Sequence, residues 1–263
     1  MRKAFVATLC ALMCLGAAAR DRYPDMFGRS EYKSAEFTDN QGTTVKYRYL
    51  EPADAKPGKK YPLVLFLHGA GERGDDNALQ LTHGAGLFLN PVNQEKFPAY
   101  VIFPQCPKGQ TWAYDEKFSR EPFAMPIQDE TPLIHAVKAL VDYFAATGNV
   151  DTRRIYVAGL SMGGMATLDL VARYPDYFAA AVPICGSINP KRLSSAIKTR
   201  IRLFHGDADP SVPVAGSREA YKALKSAGVK VEYHEVPGCP HDSWTPAFQR
   251  SDFLSWIFKQ RKK

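Results

Sequence analysis

Cysteine is scarce in this chain of 263 residues: there are five, and Cys10 and Cys14 lie in the first apolar stretch. The other three, Cys106, Cys185 and Cys239, are far apart and odd in number, so a disulfide framework is not what holds the chain together. An oxidising compartment would allow one bridge, and the sequence does not say which pair. CxxC and HxxxH spacings are missing, and no metal site is expected from these residues. Internal repeats, low-complexity tracts and long linkers are absent as well. After the first stretch, no apolar run approaches the roughly 20 residues that a membrane helix needs, so stable membrane insertion is not expected. Charge is nearly balanced, with 34 Lys and Arg against 27 Asp and Glu, a net +7. No basic motif interleaved with aromatics points to nucleic acid, and the tail Lys259 to Lys263 reads as a solvated helix end.

What is present begins with a leader. Arg2 and Lys3 precede an apolar run from Ala4 to Leu15, and Gly16 to Ala19 supply small residues. This is the pattern of a signal peptide, residues 1–19, cut after Ala19. Cys10 follows Leu9 and Cys14 follows Met13, without the small residue that lipidation needs before the modified cysteine. The expected mature chain, residues 20–263, loses two cations and keeps +5, and its length suits a single α/β domain. A secreted or periplasmic protein is expected.

Along the mature chain, SAEFTDNQGTTVKYRYLEPA reads as an antiparallel hairpin around Asp39 to Gly42, with alternation at Val45, Tyr47 and Tyr49. YPLVLFLHG, AYVIFP, RRIYVAGLS, AAAVPICGS and TRIRLFHGD are apolar runs of the kind that form strands buried on both faces; KVEYHEV adds a last strand. Helical stretches fall at 131–146, 162–174, 215–227 and 246–260. This alternation predicts a mostly parallel central sheet with helices on both faces. In such sheets, reactive residues collect in the loops at the carboxyl ends of the strands. The longest irregular region, 104–131, is expected to wall or cover the site.

Gly159 to Gly163, GLSMG, matches the G-x-S-x-G nucleophile elbow between a strand and a helix, which pushes the Ser161 hydroxyl out at the top of the sheet. A serine hydroxyl needs a base and the base needs a carboxylate, and on this scaffold they follow in the order acid, then histidine. His205 precedes the best acid, and His234 sits inside an alternating strand. His241, in GCPHDSW after the last strand, is the expected base. Asp209 in HGDADPSVP is the expected acid, because Pro210 and Val212-Pro213 let it turn across the sheet. Asp207 is expected to bond loop backbone, and Asp242 is too local to brace its neighbour. The oxyanion donors expected are the N–H of Met162 and that of Ala70, with Gly71 as the alternative to Ala70. The Gly-rich stretch after LHG lacks the Lys-Ser or Lys-Thr of a phosphate loop. Glu72 and Arg73 either bind substrate or pin their loop. Trp112 and Tyr114 either wall the substrate or pack the long loop down.

LHGAGERG, PQCP with Trp112 downstream, GLSMGG, HGDADPSVP and PHDSW together resemble the secreted carboxylesterase and peptidase branch of the α/β-hydrolases. Phospholipase/carboxylesterases, polyhydroxybutyrate-depolymerase-like proteins and feruloyl esterases are its relatives. The resemblance implies the α/β-hydrolase fold, acyl transfer to Ser161 followed by hydrolysis, and no metal or organic cofactor. It leaves the substrate open. NPKRLSSAIKT is too short for a large cap domain, and an open site favours short-chain esters or polymer-linked feruloyl and acetyl esters, small-molecule or polysaccharide-borne. The rivals are a serine peptidase or amidase with the same triad, and a non-catalytic binding protein on a hydrolase fold.

Overall fold

The computed structural model describes residues 31–113 and 129–263. Eight strands form one sheet in the order β1-β2-β4-β3-β5-β6-β7-β8. They are β1 Lys33–Thr38, β2 Thr44–Leu50, β3 Tyr61–Leu67, β4 Tyr100–Pro104, β5 Val150–Leu160, β6 Ala180–Ile184, β7 Arg200–Gly206 and β8 Val231–Val236. The hairpin β1–β2 lies antiparallel at one edge, and every neighbouring pair from β4 to β8 is parallel. The helices are α1 Ala85–Leu89, α2 Pro91–Lys96, α3 Pro132–Ala146, α4 Met162–Arg173, α5 Ala215–Ser226, α6 Trp244–Phe248 and α7 Phe253–Lys259. No helix among the described residues is long and apolar enough to cross a membrane.

The continuous apolar runs are buried throughout: every residue of β3 and β6 is inside. Their alternation feeds two cores, one on each face of the sheet. Leu63, Leu65 and Val157 pack with Leu140 of α3, Leu168 of α4 and Leu224 of α5. Val64, Phe66 and Phe204 pack on the other side with Phe88 of α1 and Phe253 and Ile257 of α7. Each such side chain contributes roughly 1.5–3 kcal/mol by leaving water, and together they fix the height at which the strand ends stand.

The helix expected over 246–260 is two helices. Asp252, in the break, takes the guanidinium of Arg250 at 2.8 Å and that of Arg202 at 3.0 Å. Arg202 is itself buried on β7, pairs with Glu232 at 2.7 Å and lies 4.4 Å from the Trp256 ring. That network ties the break between the two helices to β7, with Asp252 as a second carboxylate on the buried guanidinium of Arg202 beside Glu232. Helices α1 and α2, where no helix is expected, are short. Asn90 caps α2 by accepting the N–H of Val92 and Asn93, with Pro91 in its first turn, a local signal for a helix start. Between β6 and β7 the chain makes only the 3-10 turn Pro190–Arg192. Asp169 of α4 holds that turn by bonding Arg192 while also bonding Arg173 at 2.7 Å, so the carboxyl edge of the sheet has no cap domain over this connection.

Candidate active site

Three strand ends supply the site. At the end of β5, Ser161 turns the chain into α4 at φ 54° and ψ −119°, a conformation costing a residue with a Cβ of order 1–3 kcal/mol. Its surroundings enforce it: its N–H donates to Ile184 O and its carbonyl accepts from Met165, both at 2.9 Å. Gly163 is needed for clearance, because a Cβ there would lie 2.0 Å from Leu67 O. The helix therefore seats directly on the end of β3.

The acid and base loops meet by a similar close approach. A Cβ on Gly206, at the end of β7, would lie 2.1 Å from Cys239 O. With that contact made, His241 Nδ1 lies 2.7 Å from Asp209 Oδ2, and His241 Nε2 lies 2.9 Å from Ser161 Oγ. The Asp209 side chain is wholly buried and that of His241 is 25% exposed. Asp209 Oδ1 accepts the N–H of Ser211 at 2.8 Å and of Val212 at 2.9 Å. Burial pushes the Asp209 carboxyl up, but His205, His241 and the two backbone donors outweigh it and hold the group below the usual carboxylate range. Asp207 Oδ1 accepts the Gly238 N–H at 2.6 Å, a loop bond away from the serine. His234 stacks on Phe204, ring centroids 5.0 Å apart.

Met162 opens α4 and Ala70 opens the 3-10 turn Ala70–Glu72. N–H groups in a first helical turn have no acceptor inside the helix, and both residues line the same cleft of about 470 Å³ as Ser161 and His241. The Ala70 loop is tied from behind. His68 Nε2 accepts the Cys106 N–H at 2.9 Å, which fixes the tautomer so that Nδ1–H faces Gly69 O at 2.6 Å. Burial lowers the His68 pKa to about 4, so its imidazole is neutral. Arg73 donates to Ala70 O at 2.8 Å and to Gln110 O at 3.2 Å, so it pins the loop. Glu72 lines the cleft, and its carboxyl is raised by burial.

Trp112 does not wall the cleft. It is fully buried, and its Nε1–H donates to His68 O at 3.1 Å; an indole with its one donor satisfied inside is a packing residue. Tyr114 lies outside the described residues. Among the described residues the aromatic wall is Trp244 of α6, whose ring stands edge-on to His241 at 5.5 Å. Its position three residues after His241 was the available signal. Cys106, Cys185 and Cys239 are free thiols, and burial pushes the Cys106 thiol up to about 12.

The model of the Phospholipase/Carboxylesterase family matches residues 53–257. Carboxylesterase SOBER1 of Arabidopsis thaliana is 30% identical over 211 residues, covering 76% of this chain and 90% of that protein. An uncharacterized secreted protein of Arthroderma benhamiae is 28% identical, covering 83% of this chain. The chain spans only 26% of that fungal protein's length. The crystal structure of a thermostable esterase is 37% identical with a TM-score of 0.81, over 89% of this chain and 64% of that one. With the nucleophile elbow, the acid loop and the base loop meeting at one cleft, the chain belongs to the phospholipase/carboxylesterase family of α/β-hydrolases.

Proposed function

We propose that this chain is a serine hydrolase of carboxylic esters, exported by the leader at residues 1–19 and acting as one domain over 20–263. The observation that carries the reading is the unbroken relay from Ser161 Oγ through His241 to Asp209, with spacings of 2.9 and 2.7 Å, at the mouth of an open cleft. Asp209 accepts a hydrogen bond from the Nδ1–H of His241, which keeps the proton on that nitrogen and leaves the Nε2 lone pair facing the serine. Ser161 Oγ attacks the ester carbonyl as its proton moves to Nε2. The carbonyl oxygen becomes an oxyanion, met by the N–H groups of Met162 and Ala70. Nε2 then gives its proton to the leaving alkoxide, and the acyl group stays on Ser161. Water attacks the acyl-enzyme with the same base, releasing the carboxylic acid and restoring Ser161.

The open cleft supports short-chain acyl groups or feruloyl and acetyl groups carried on a polymer, since no cap domain closes over it among the described residues. Trp244 gives an aromatic acyl group a flat face beside His241. The test is hydrolysis of nitrophenyl esters of two to twelve acyl carbons, methyl ferulate and a peptide anilide by wild type and Ser161→Ala. A short-chain or feruloyl preference abolished by the substitution is expected. Faster cleavage of the anilide than of matched esters would assign a peptidase instead, and no labelling of Ser161 by a fluorophosphonate would leave a binding protein.

A further inference from the structure

Two histidines, not one, reach Asp209. His205 sits at the end of β7 with its side chain wholly buried, and its Nε2 lies 3.2 Å from Asp209 Oδ2 and 3.0 Å from Val212 O. Both neighbours of Nε2 are oxygens that only accept, so this nitrogen carries a proton. The other ring nitrogen, Nδ1, lies 2.7 Å from Ser217 Oγ, which in turn lies 2.9 Å from Gly186 O. The ring is thus fixed between the acid loop, α5 and the loop after β6. We propose that His205 is a positioning residue for ester hydrolysis: its Nε2–H holds the same Asp209 oxygen that receives the Nδ1–H of His241.

A carboxylate offers about four lone-pair directions. Asp209 fills them with the N–H groups of Ser211 and Val212 on Oδ1 and with the two imidazoles on Oδ2. Removing one donor from a buried carboxylate frees the group to rotate about its Cβ–Cγ bond and leaves a buried acceptor unpaired. It also concentrates negative charge on Oδ2 toward His241, which makes that imidazole easier to protonate. The first effect lowers turnover, and the second moves the acid limb of the rate profile to higher pH.

The inference rests on the triad reading above, and the variants separate the two. In His205→Asn the amide reaches Ser217 but falls short of Asp209. In His205→Gln the longer amide reaches Asp209 but gives up Ser217, and Ser217→Ala removes only the Nδ1 tie. His205→Asn is expected to lose kcat about ten- to a hundredfold with little change in KM, with its acid limb displaced upward. His205→Gln and Ser217→Ala are expected to stay within about threefold of wild type with an undisplaced limb.

Other titratable groups around this centre are Cys185 at the end of β6, Asp207 in the acid loop, Glu235 on β8 with its partner Arg218 of α5, Cys239 and Asp242 beside His241, and Glu72 across the cleft. All are identical in the three variants, so a displacement found in His205→Asn alone belongs to the lost donor. Equal impairment of the Asn and Gln variants would reduce His205 to a packing residue and overturn the proposal. Nitrogen-edited NMR of wild type gives a readout independent of turnover and of any variant's folding. A proton on His205 Nε2 is expected, and an unprotonated Nε2 would also overturn it. Should wild type hydrolyse no ester, the triad reading fails, while an unprotonated His205 Nε2 would separately overturn this one.

Discussion

His68 is expected to make this protein acid-sensitive by a calculable amount. In the folded chain burial lowers its pKa from 6.5 to about 4. The structure adds a geometric reason: a proton on Nε2 would point at the Cys106 N–H, 2.9 Å away. Between pH 6.5 and 4 the unfolded chain takes up a proton that the folded chain refuses. Stability is therefore full above 6.5 and is lost as pH falls toward 4, by about 3 kcal/mol for a shift of this size. With urea slopes of about 2–3 kcal/mol per molar for a domain this long, the midpoint should fall by about 1 M from this group alone. His68→Gln isolates the contribution, because its side-chain carbonyl can accept the Cys106 N–H without titrating. Urea melts of both proteins from pH 7.5 to 4 should converge or cross, the wild type losing about 3 kcal/mol relative to the variant. Parallel stability profiles would refute the reasoning and show that His68 is protonated without penalty.

Asp209→Asn should keep the fold but lower kcat by roughly 10³- to 10⁴-fold, because an amide can present N–H to His241 and select the wrong tautomer; steady-state kinetics on a nitrophenyl ester checks it. Gly163→Ala should abolish soluble folded protein, read as expression yield and loss of a cooperative melt, since its methyl would meet Leu67 O at 2.0 Å. Trp244→Ala should raise KM for aromatic acyl esters by about tenfold while short aliphatic esters change less, as expected for loss of a flat apolar wall. Thiol titration of the native protein should detect Cys239 first, because Cys106 and Cys185 are buried with thiols pushed up by that burial; full reaction of three thiols without denaturant would contradict the packing.

Much of the fold was legible because parallel strands buried on both faces leave nearly continuous apolar runs, as β3, β6 and the second half of β5 do and as β7 does after its first residue, apart from Arg202 and His205. Ser161 and Asp209 were readable from loops that follow such runs and His241 from the loop after the last, alternating strand; the structure places Ser161 and His241 on one cleft with Asp209 buried behind the histidine. The aromatic wall was not readable in the same way. Trp112 and Trp244 both follow strand-end motifs, and only the folded chain shows that one indole points inward to His68 O and the other faces the base. The break between α6 and α7 was hidden because Arg202, the partner of Asp252 in the break, lies 50 residues away in sequence. His205 looked misplaced as a base, and sequence order carries no information about a second imidazole approaching the acid from behind.

The backbone at Ser161 has an evolutionary consequence. On the proposed mechanism Ser161, held at φ 54° with a Cβ, is kept there by what its hydroxyl does, since glycine would occupy the same turn without the strain. Replacement by glycine should make the protein more stable by about 1 kcal/mol while ending its chemistry. A descendant lineage released from selection for hydrolysis would thus find its most accessible stabilising change at the nucleophile itself. Inactive relatives on this scaffold should carry glycine at this position more often than alanine or threonine, and their loss of function should coincide with a gain in melting temperature.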